Sequence, residues 1–484
     1  AEGLYTAAAL PAGRYEVRVQ KPGFRQIVRE AVVLTGNTTT VELRLSVGAV
    51  TEVVTVDGEA ALINYESHKI DGVIKREQIE NLPLNGRSFL QLAFLEPGVG
   101  VGTRSLAQYN AQFGVSVLGG DQSMTAITVD GGNVRNALEG GTAQNFSQEI
   151  VEEFQVSSAN FDLSTGIAAG GAVNVVSRSG GKDFHGSAYY FFRDNNLSAY
   201  PALRRNPFAP DPFFARRQAG FWASGPIVKN KLFFFFNLEN NNQDAVVTVQ
   251  PDSPFFANLI QNASNPYDGR QISAKFDYRI NDRHNLFLRY SHDGNKGFGP
   301  RGGATLPSNW LVNRNWADQS LLGLTSSFGS TIVNDFRFAY HYWNNRNLFP
   351  TERECPGCLG LGLPEMSIVG TNVRFGNTAN APQGRDIRRF NLSNVTTWQK
   401  GAHRMKFGAN LERMPFNGFW AFGDPAAGNL WGPDIMAANR IPPAAFGLPN
   451  QFTTNADLLR LPLAAFAMGI GDPSQPPPFN ADQA

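Results

Sequence analysis

At 484 residues the chain is too long for one ordinary domain, and two or three units are expected. Its 42 Lys+Arg against 41 Asp+Glu leave a net charge of +1, so no basic excess marks a nucleic-acid partner and no acidic block marks a solvating tail. The hydrophobic share is 42%, yet no run approaches the ~18–20 apolar residues of a spanning helix, which excludes a helical membrane protein and leaves a β-barrel open.

The chain begins AEGLYTAAALPAGRYEVRV, with no basic stretch leading into an apolar one, so no signal peptide is visible. Its first residues read as the interior of a domain, and the Pro-rich PSQPPPFNADQA does not read as a terminal strand. A segment of a longer protein, missing both ends, is the expectation.

Residues 1–47 carry three short alternating segments, Arg14–Gln20, Ala31–Leu34 and Thr38–Leu45, set apart by PAG, KPGF and TGN. That pattern predicts a partial Ig-like β-sandwich. Residues 48–74 read as a linker. Residues 75–181 mix types and predict a glycine-rich α+β unit. Ser88-Phe-Leu-Gln91 has capping-box spacing and opens a predicted helix that stops before Pro97-Gly98. Strands are expected over Thr125–Asp130, Phe154–Ser157 and Ala172–Arg178, broken by double glycines.

From 182 to 484 the chain reads as strand and loop. Gln271–Ile280 alternates, with Ile272, Ala274, Phe276 and Tyr278 on one face and Ser273, Lys275, Asp277 and Arg279 on the other. Asp335–Trp343 and Arg404–Glu412 alternate in the same way, and about nine such segments occur. Connections after the even ones are short (Ile227–Lys231, Asn281–Asn285, Gly329–Val333, Lys400–His403). Those after the odd ones are long (Asn195–Arg216, Asn240–Arg270, Gly294–Asn315, Asn344–Arg388). Bacterial outer-membrane barrels alternate short periplasmic turns with long outer loops, whereas Greek-key sandwiches have no reason to. The fold class is therefore mainly β, with an incomplete antiparallel transmembrane β-barrel after the α+β unit. About nine strands are too few to close a barrel of the roughly 22-stranded transporter class, so the last strand should have an unpaired edge.

Several segments of the α+β unit, in this order, carry a resemblance. They are Leu82, Pro83, Leu84, Asn85, Gly86 and Arg87; Leu95-Glu-Pro-Gly-Val99; Val129, Asp130 and Gly131; Glu149-Ile-Val-Glu-Glu-Phe-Gln-Val156, which holds Glu152 and Glu153; and Gly170, Gly171, Ala172, Val173, Asn174 through Ser177. In combination they resemble the plug domain of TonB-dependent outer-membrane receptors of the Oar-like group. Residues 1–47, above all LPAGRYEVRVQKPGF, resemble the carboxypeptidase-regulatory-like domain that precedes such plugs. The segment Glu52, Val53, Val54, Thr55 and Val56 looks like the family's TonB box, an exposed strand-former able to add to a partner sheet. It also reads as a last strand of the N-terminal unit or as plain linker.

The resemblance implies uptake across the bacterial outer membrane. The implied partners are the TonB complex of the inner membrane, outer-membrane lipid and an unknown extracellular ligand. Arg87, Glu152, Glu153 and Arg178 are candidates for ion pairs between plug and barrel wall. A surface adhesion or structural protein on the same scaffold is the second reading. No cofactor, metal or nucleic acid is called for, and no HExxH, GxSxG or Walker A sequence points to an enzyme. The only cysteines, Cys355 and Cys358 in CPGC, are expected to staple a loop as a disulfide; redox or metal chemistry is the alternative. Loop aromatics such as Phe208, Phe213, Phe214, Trp310 and Trp316 either meet a ligand or pack beneath a loop.

Overall fold

The computed structural model describes residues 7, 13–33, 39–48, 53–56, 70–102, 113–136, 140–159, 168–197, 212–300, 305–329, 331–401, 403–421, 426–441 and 443–468. The first sheet has three strands, β1 (Gly13–Val19), β2 (Gln26–Val33) and β3 (Val53–Val56). β2 lies in the middle, antiparallel to β1 and parallel to β3, with Val53 opposite Gln26 and Val56 opposite Arg29. The strand expected over Thr38–Leu45 is not formed by its described residues 39–45, although Thr39, Val41, Leu43 and Leu45 still alternate half-buried with exposed neighbours. Alternation reports which face is covered and not which edge is paired. The place beside β2 goes to β3 instead.

The α+β unit starts upstream of residue 75, inside the stretch read as linker. It holds β4 (Ile70–Lys75), α1 (Arg76–Asn81), β5 (Val99–Gly102), β6 (Gly114–Val117), β7 (Thr125–Val129), β8 (Gly132–Asn133), β9 (Val151–Ala159) and β10 (Gly171–Ser177). One sheet runs in the order β4-β9-β10-β7-β8, with β10 parallel to β7; β5 and β6 pair separately. Its core is Ile74, Ile79, Phe89, Ile127, Ile150, Phe154 and Val173, with Phe89 edge-on to Phe154 at 5.7 Å. The segment after Ser88 is a 3-10 helix, Phe89–Leu95, and Ser88 makes no capping bond. The buried pairs Phe89/Leu92 and Leu90/Ala93 recur every third residue, the repeat a three-residue turn places on one side. The six-residue α1 buries only Ile79, too little apolar pattern to be read from sequence.

Nine strands then form an all-antiparallel meander. They are β11 (His185–Asp194), β12 (Phe214–Val228), β13 (Leu232–Val249), β15 (Tyr267–Arg279), β16 (His284–Gly299), β17 (Leu311–Phe328), β18 (Ile332–Leu348), β21 (Gln383–Lys400) and β22 (His403–Arg413). Within this run β14 (Gln261–Ser264) pairs with β13, and β23 (Phe416–Trp420) with β21. The alternation of short turns and long loops stands as expected. The burial of faces is opposite to that of a soluble sheet: Ser273 and Lys275 are buried while their neighbour Phe276 is 42% exposed. Leu288, Phe338, Leu392 and Phe407 are exposed in the same way, an apolar outer band for lipid. Among the described residues the last strand of the meander, β22, pairs with β21 alone, and Phe407 and Leu411 on it are open.

The long connections build a further unit that the sequence did not reveal. β19 (Glu365–Val369), β20 (Arg374–Phe375), β24 (Ala426–Trp431) and β25 (Leu463–Met468) form a four-stranded sheet, joined by α2 (Pro433–Ala438) and α3 (Asn455–Leu458). Under it lie Phe256, Leu306, Trp310, Ile368, Phe375, Phe452 and Leu458. Trp310 is thus packing, with its indole N–H donating to Thr305 O at 2.9 Å. Cys355 and Cys358 form a disulfide here, and Cys355 is buried in the same cluster.

Candidate functional site

The α+β unit packs against the polar face of the nine-stranded sheet, and among the described residues no strand of one pairs with a strand of the other. Side chains and turn tips make the joint. Its centre is the hairpin between β7 and β8. Val129 lies opposite Gly132, leaving Asp130 and Gly131 as a two-residue loop. Both have positive φ, 50° and 87°, the signature of a type I′ turn, which favours Asp-Gly. The tight turn brings the tip against the wall: a Cβ added to Gly131 would lie 2.7 Å from Arg337 Nη1.

Asp130 is buried, and its carboxylate is shared between two units. It accepts from Ser177 N (2.9 Å) and Ser177 Oγ (2.6 Å) within the plug-like unit. From the wall, Arg289 Nε stands 2.8 Å from Oδ2 and Lys275 Nζ 3.8 Å from Oδ1. Lys275 and Arg289 sit directly opposite one another on β15 and β16, an arrangement of like charges that repels on its own. The carboxylate between them offsets that repulsion. Burial alone would push the Asp130 carboxyl up, but Lys275, Arg289 and the Ser177 bonds outweigh it and hold the group at about 2. The rest of the hairpin is held through its carbonyls. Arg289 donates to Val129 O (3.0 Å), Arg337 to Asp130 O (2.7 Å) and Arg389 to Arg135 O (3.0 Å).

A second clamp lies nearer the long loops. Asn85 accepts from Arg193 (2.8 Å) and Arg216 (3.0 Å), and Gly86 O accepts from Gln218 (3.3 Å). Gly86 and Arg87 both have positive φ, which turns the Asn85–Arg87 tip outward. Arg87 pairs with Glu149, lies 3.9 Å from Glu239 on β13, and stacks over Tyr189 and Phe191 at 4.9 and 4.4 Å. Arg178 stacks on Trp222 of the wall at 3.8 Å.

The expected site residues therefore divide. Asn85, Gly86, Arg87, Asp130 and Gly131 meet the wall. Among the described residues Glu152 pairs with Arg178 of its own unit, at 3.9 Å, and Glu153 is buried inside the sheet opposite Lys75. Gly170 and Gly171 sit against Met124 and Val117, and Asn174 accepts from Thr128 at 3.1 Å, all within the unit. Leu84 packs on the core, while Leu82 and Pro83 are exposed. Val53–Val56 is the edge strand β3; Glu52 and Phe208 lie outside the described residues. Sequence reasoning missed the wall cations Lys275, Arg289, Arg337 and Arg389. Each stands on the polar face of a barrel strand, far along the chain from the hairpin that it meets, and no local pattern links the two.

Comparison with known proteins agrees with this architecture. The outer membrane beta barrel domain family matches residues 176–254 and 245–457. The PEGA domain, a relative of the carboxypeptidase-regulatory-like domain, matches residues 5–48. The TonB-dependent transporter Oar of Myxococcus xanthus is 27% identical over 318 residues, covering 59% of this chain and 29% of that protein. The outer membrane transporter YddB of Escherichia coli superposes with a TM-score of 0.54 at 13% identity, over 75% of this chain and 50% of that one. A ferric enterobactin receptor of Pseudomonas aeruginosa, solved with enterobactin, gives 0.50 at 15% identity, over 72% and 50%. The chain thus spans under a third of its curated relative and half of each solved structure. The chain belongs to the outer membrane β-barrel family, on the plug-and-barrel scaffold of TonB-dependent receptors in the bacterial outer membrane.

Proposed function

We propose that the protein imports an extracellular ligand by energy-coupled displacement of its plug, with the TonB complex of the inner membrane pulling on Glu52–Val56. The observation that carries this reading is the nature of the joint. Plug and wall share no backbone ladder among the described residues and meet through side chains, a set of polar latches beside smaller apolar contacts from Phe235, Trp222 and Trp343. Such a joint can be broken and remade without unravelling either unit.

The pull needs a handle with exposed backbone. β3 supports that role because, among the described residues, it adds to β2 along one edge, through four residue pairs. On this reading it leaves β2 and adds to a partner sheet, where its N–H and C=O groups supply the grip. Val54→Pro removes an N–H needed for strand addition. Ligand binding to the whole receptor should persist while energised uptake falls to the level of cells lacking TonB, measured by accumulation of labelled ligand. Uptake that survives the substitution would sink the box assignment and favour an adhesive scaffold.

A further inference from the structure

The wall carries two like-charge pairs in the same arrangement, and the plug answers them differently. On β15 and β16, Lys275 stands directly opposite Arg289, and the buried carboxylate of Asp130 lies between them. On β11 and β12, near their long-loop ends, Arg193 stands directly opposite Arg216. The plug again sends a turn tip to the two cations, but here its acceptor is an amide. Asn85 Oδ1 accepts from Arg193 Nη1 (2.8 Å) and from Arg216 Nη1 (3.0 Å).

Among the described residues no carboxylate pairs with either guanidinium. The other bonds of Arg216, from Nε (2.9 Å) and Nη2 (2.6 Å), go to Gln243 Oε1, a second neutral amide. Glu239 and Asp293, on the same plug-facing side of the wall, are engaged elsewhere, with Ser147 and Tyr189 and with Asn145 N. Like charges directly opposite on neighbouring strands repel, and a neutral acceptor offsets that far less than an anion does. The two cations are held in place all the same. Phe214 lies against both, its ring centre 4.8 Å from Arg193 Cζ and 5.3 Å from Arg216 Cζ. They are also reachable: Arg193 and Asn85 are exposed, and Arg216 lines the cavity of about 440 Å³ between plug and wall.

We propose that Arg193 and Arg216 bind an oxyanion of the ligand, a carboxylate or a phosphate, and that its arrival frees the plug tip. Guanidinium bonds to an ionised oxygen are about twice as strong as those to a neutral one, and the planar fork matches both oxyanions. The anion therefore takes the Nη1 donors from Asn85, and the clamp that holds Asn85–Arg87 to the wall opens. The pair faces the plug and not the lipid, so the anion comes with the ligand. This inference deepens the importer reading by naming the charge that signals to the plug. Binding needs no energy, which lets the two be tested apart.

The test uses the full-length receptor in detergent at low salt, with inorganic phosphate as the probe. Binding is titrated by calorimetry, and hydrogen exchange is followed at Gly86 and Arg87. Phosphate should bind saturably and speed exchange at the tip. Arg193→Gln and Arg216→Gln keep a donor and lose the charge, and each should weaken binding about tenfold or more. Asn85→Ala removes the competing acceptor, so it should tighten phosphate binding severalfold, a gain that misfolding does not produce. No phosphate binding, binding indifferent to both arginine substitutions, or binding that leaves tip exchange unchanged would overturn the proposal. A phosphate response beside energised uptake that survives Val54→Pro keeps the site and sinks the importer. Uptake lost in Val54→Pro with no response to phosphate keeps the importer and sinks the site.

Discussion

The unit built from the long loops and the joint between plug and wall are both buried, yet the first is held by an apolar cluster while the second sets buried charges beside its few apolar contacts. The loop unit closes over Phe256, Trp310, Phe375 and Phe452 and carries a disulfide. The joint closes over Asp130, Lys275, Arg289 and Arg389, all under a tenth exposed. Separating apolar surfaces costs about 25 cal/mol for every Å² returned to water, with nothing regained. Separating hydrogen-bonded groups exchanges protein partners for water at a net cost of only about 0.5–1.5 kcal/mol each. A contact meant to last is thus best made apolar, and one meant to open is best made polar.

The largest effects should respect it. Arg289→Met removes the cation nearest the buried Asp130, leaving it Lys275 and the Ser177 bonds, and breaking one side of a buried pair costs about 3–5 kcal/mol. The loss should appear as faster hydrogen exchange in β7 and β8, with the loop unit unchanged. Trp310→Ala should cost a similar 3–5 kcal/mol or so, read as protease cleavage within the long loops while exchange in β7 stays slow. Variants that loosened both regions together would erase the distinction.

Acid offers a smaller, reversible break. Asp130 is held at about 2 against an ordinary 3.8, so its carboxylate is the form that the joint stabilises. A depressed carboxyl adds stability that is complete above its unfolded value and is lost as pH falls through the folded one. The window is therefore from about pH 4 down to about pH 2, and at roughly 1.4 kcal/mol per unit the loss is about 2 kcal/mol. Exchange in β8 followed across that window should accelerate, and Asp130→Asn should flatten the response. The smallest expected effect is Gly131→Ala. Its φ of 87° suits glycine, and a methyl there costs about 1–2 kcal/mol, visible as a small drop in plug protection.

Much of this could be read from the chain alone. The meander was legible because period-two alternation and loop lengths are local properties, and nine strands follow from them. A break at the double glycine was legible for the same reason, but it falls one residue earlier than expected: Asp130 leaves the strand to form the turn with Gly131, and Gly132 opens β8. The partners of that turn were not. Lys275, Arg289 and Arg337 lie 145, 159 and 207 residues away from Asp130 or its carbonyl contact in chain position, and only the register of β15, β16 and β18 brings them to one tip. The four-stranded sheet of the loops was invisible because it joins short strands drawn from two separate stretches, β19 and β20 between β18 and β21, and β24 and β25 after β23. The helix at Phe89 was misread because a three-residue repeat and an α-helical stripe look alike over seven residues.

On this account the Asp130 hairpin and the wall act as one latch. A double-mutant cycle between Asp130→Asn and Arg289→Met, read as the free energy of plug opening from hydrogen exchange in β7, tests it most directly. Groups within one ion-pair network should couple by about 0.5–3 kcal/mol, so the double variant should lose less than the two single losses combined. Losses that simply add, within about 0.3 kcal/mol, would show that the two residues act independently and that no latch joins plug to wall.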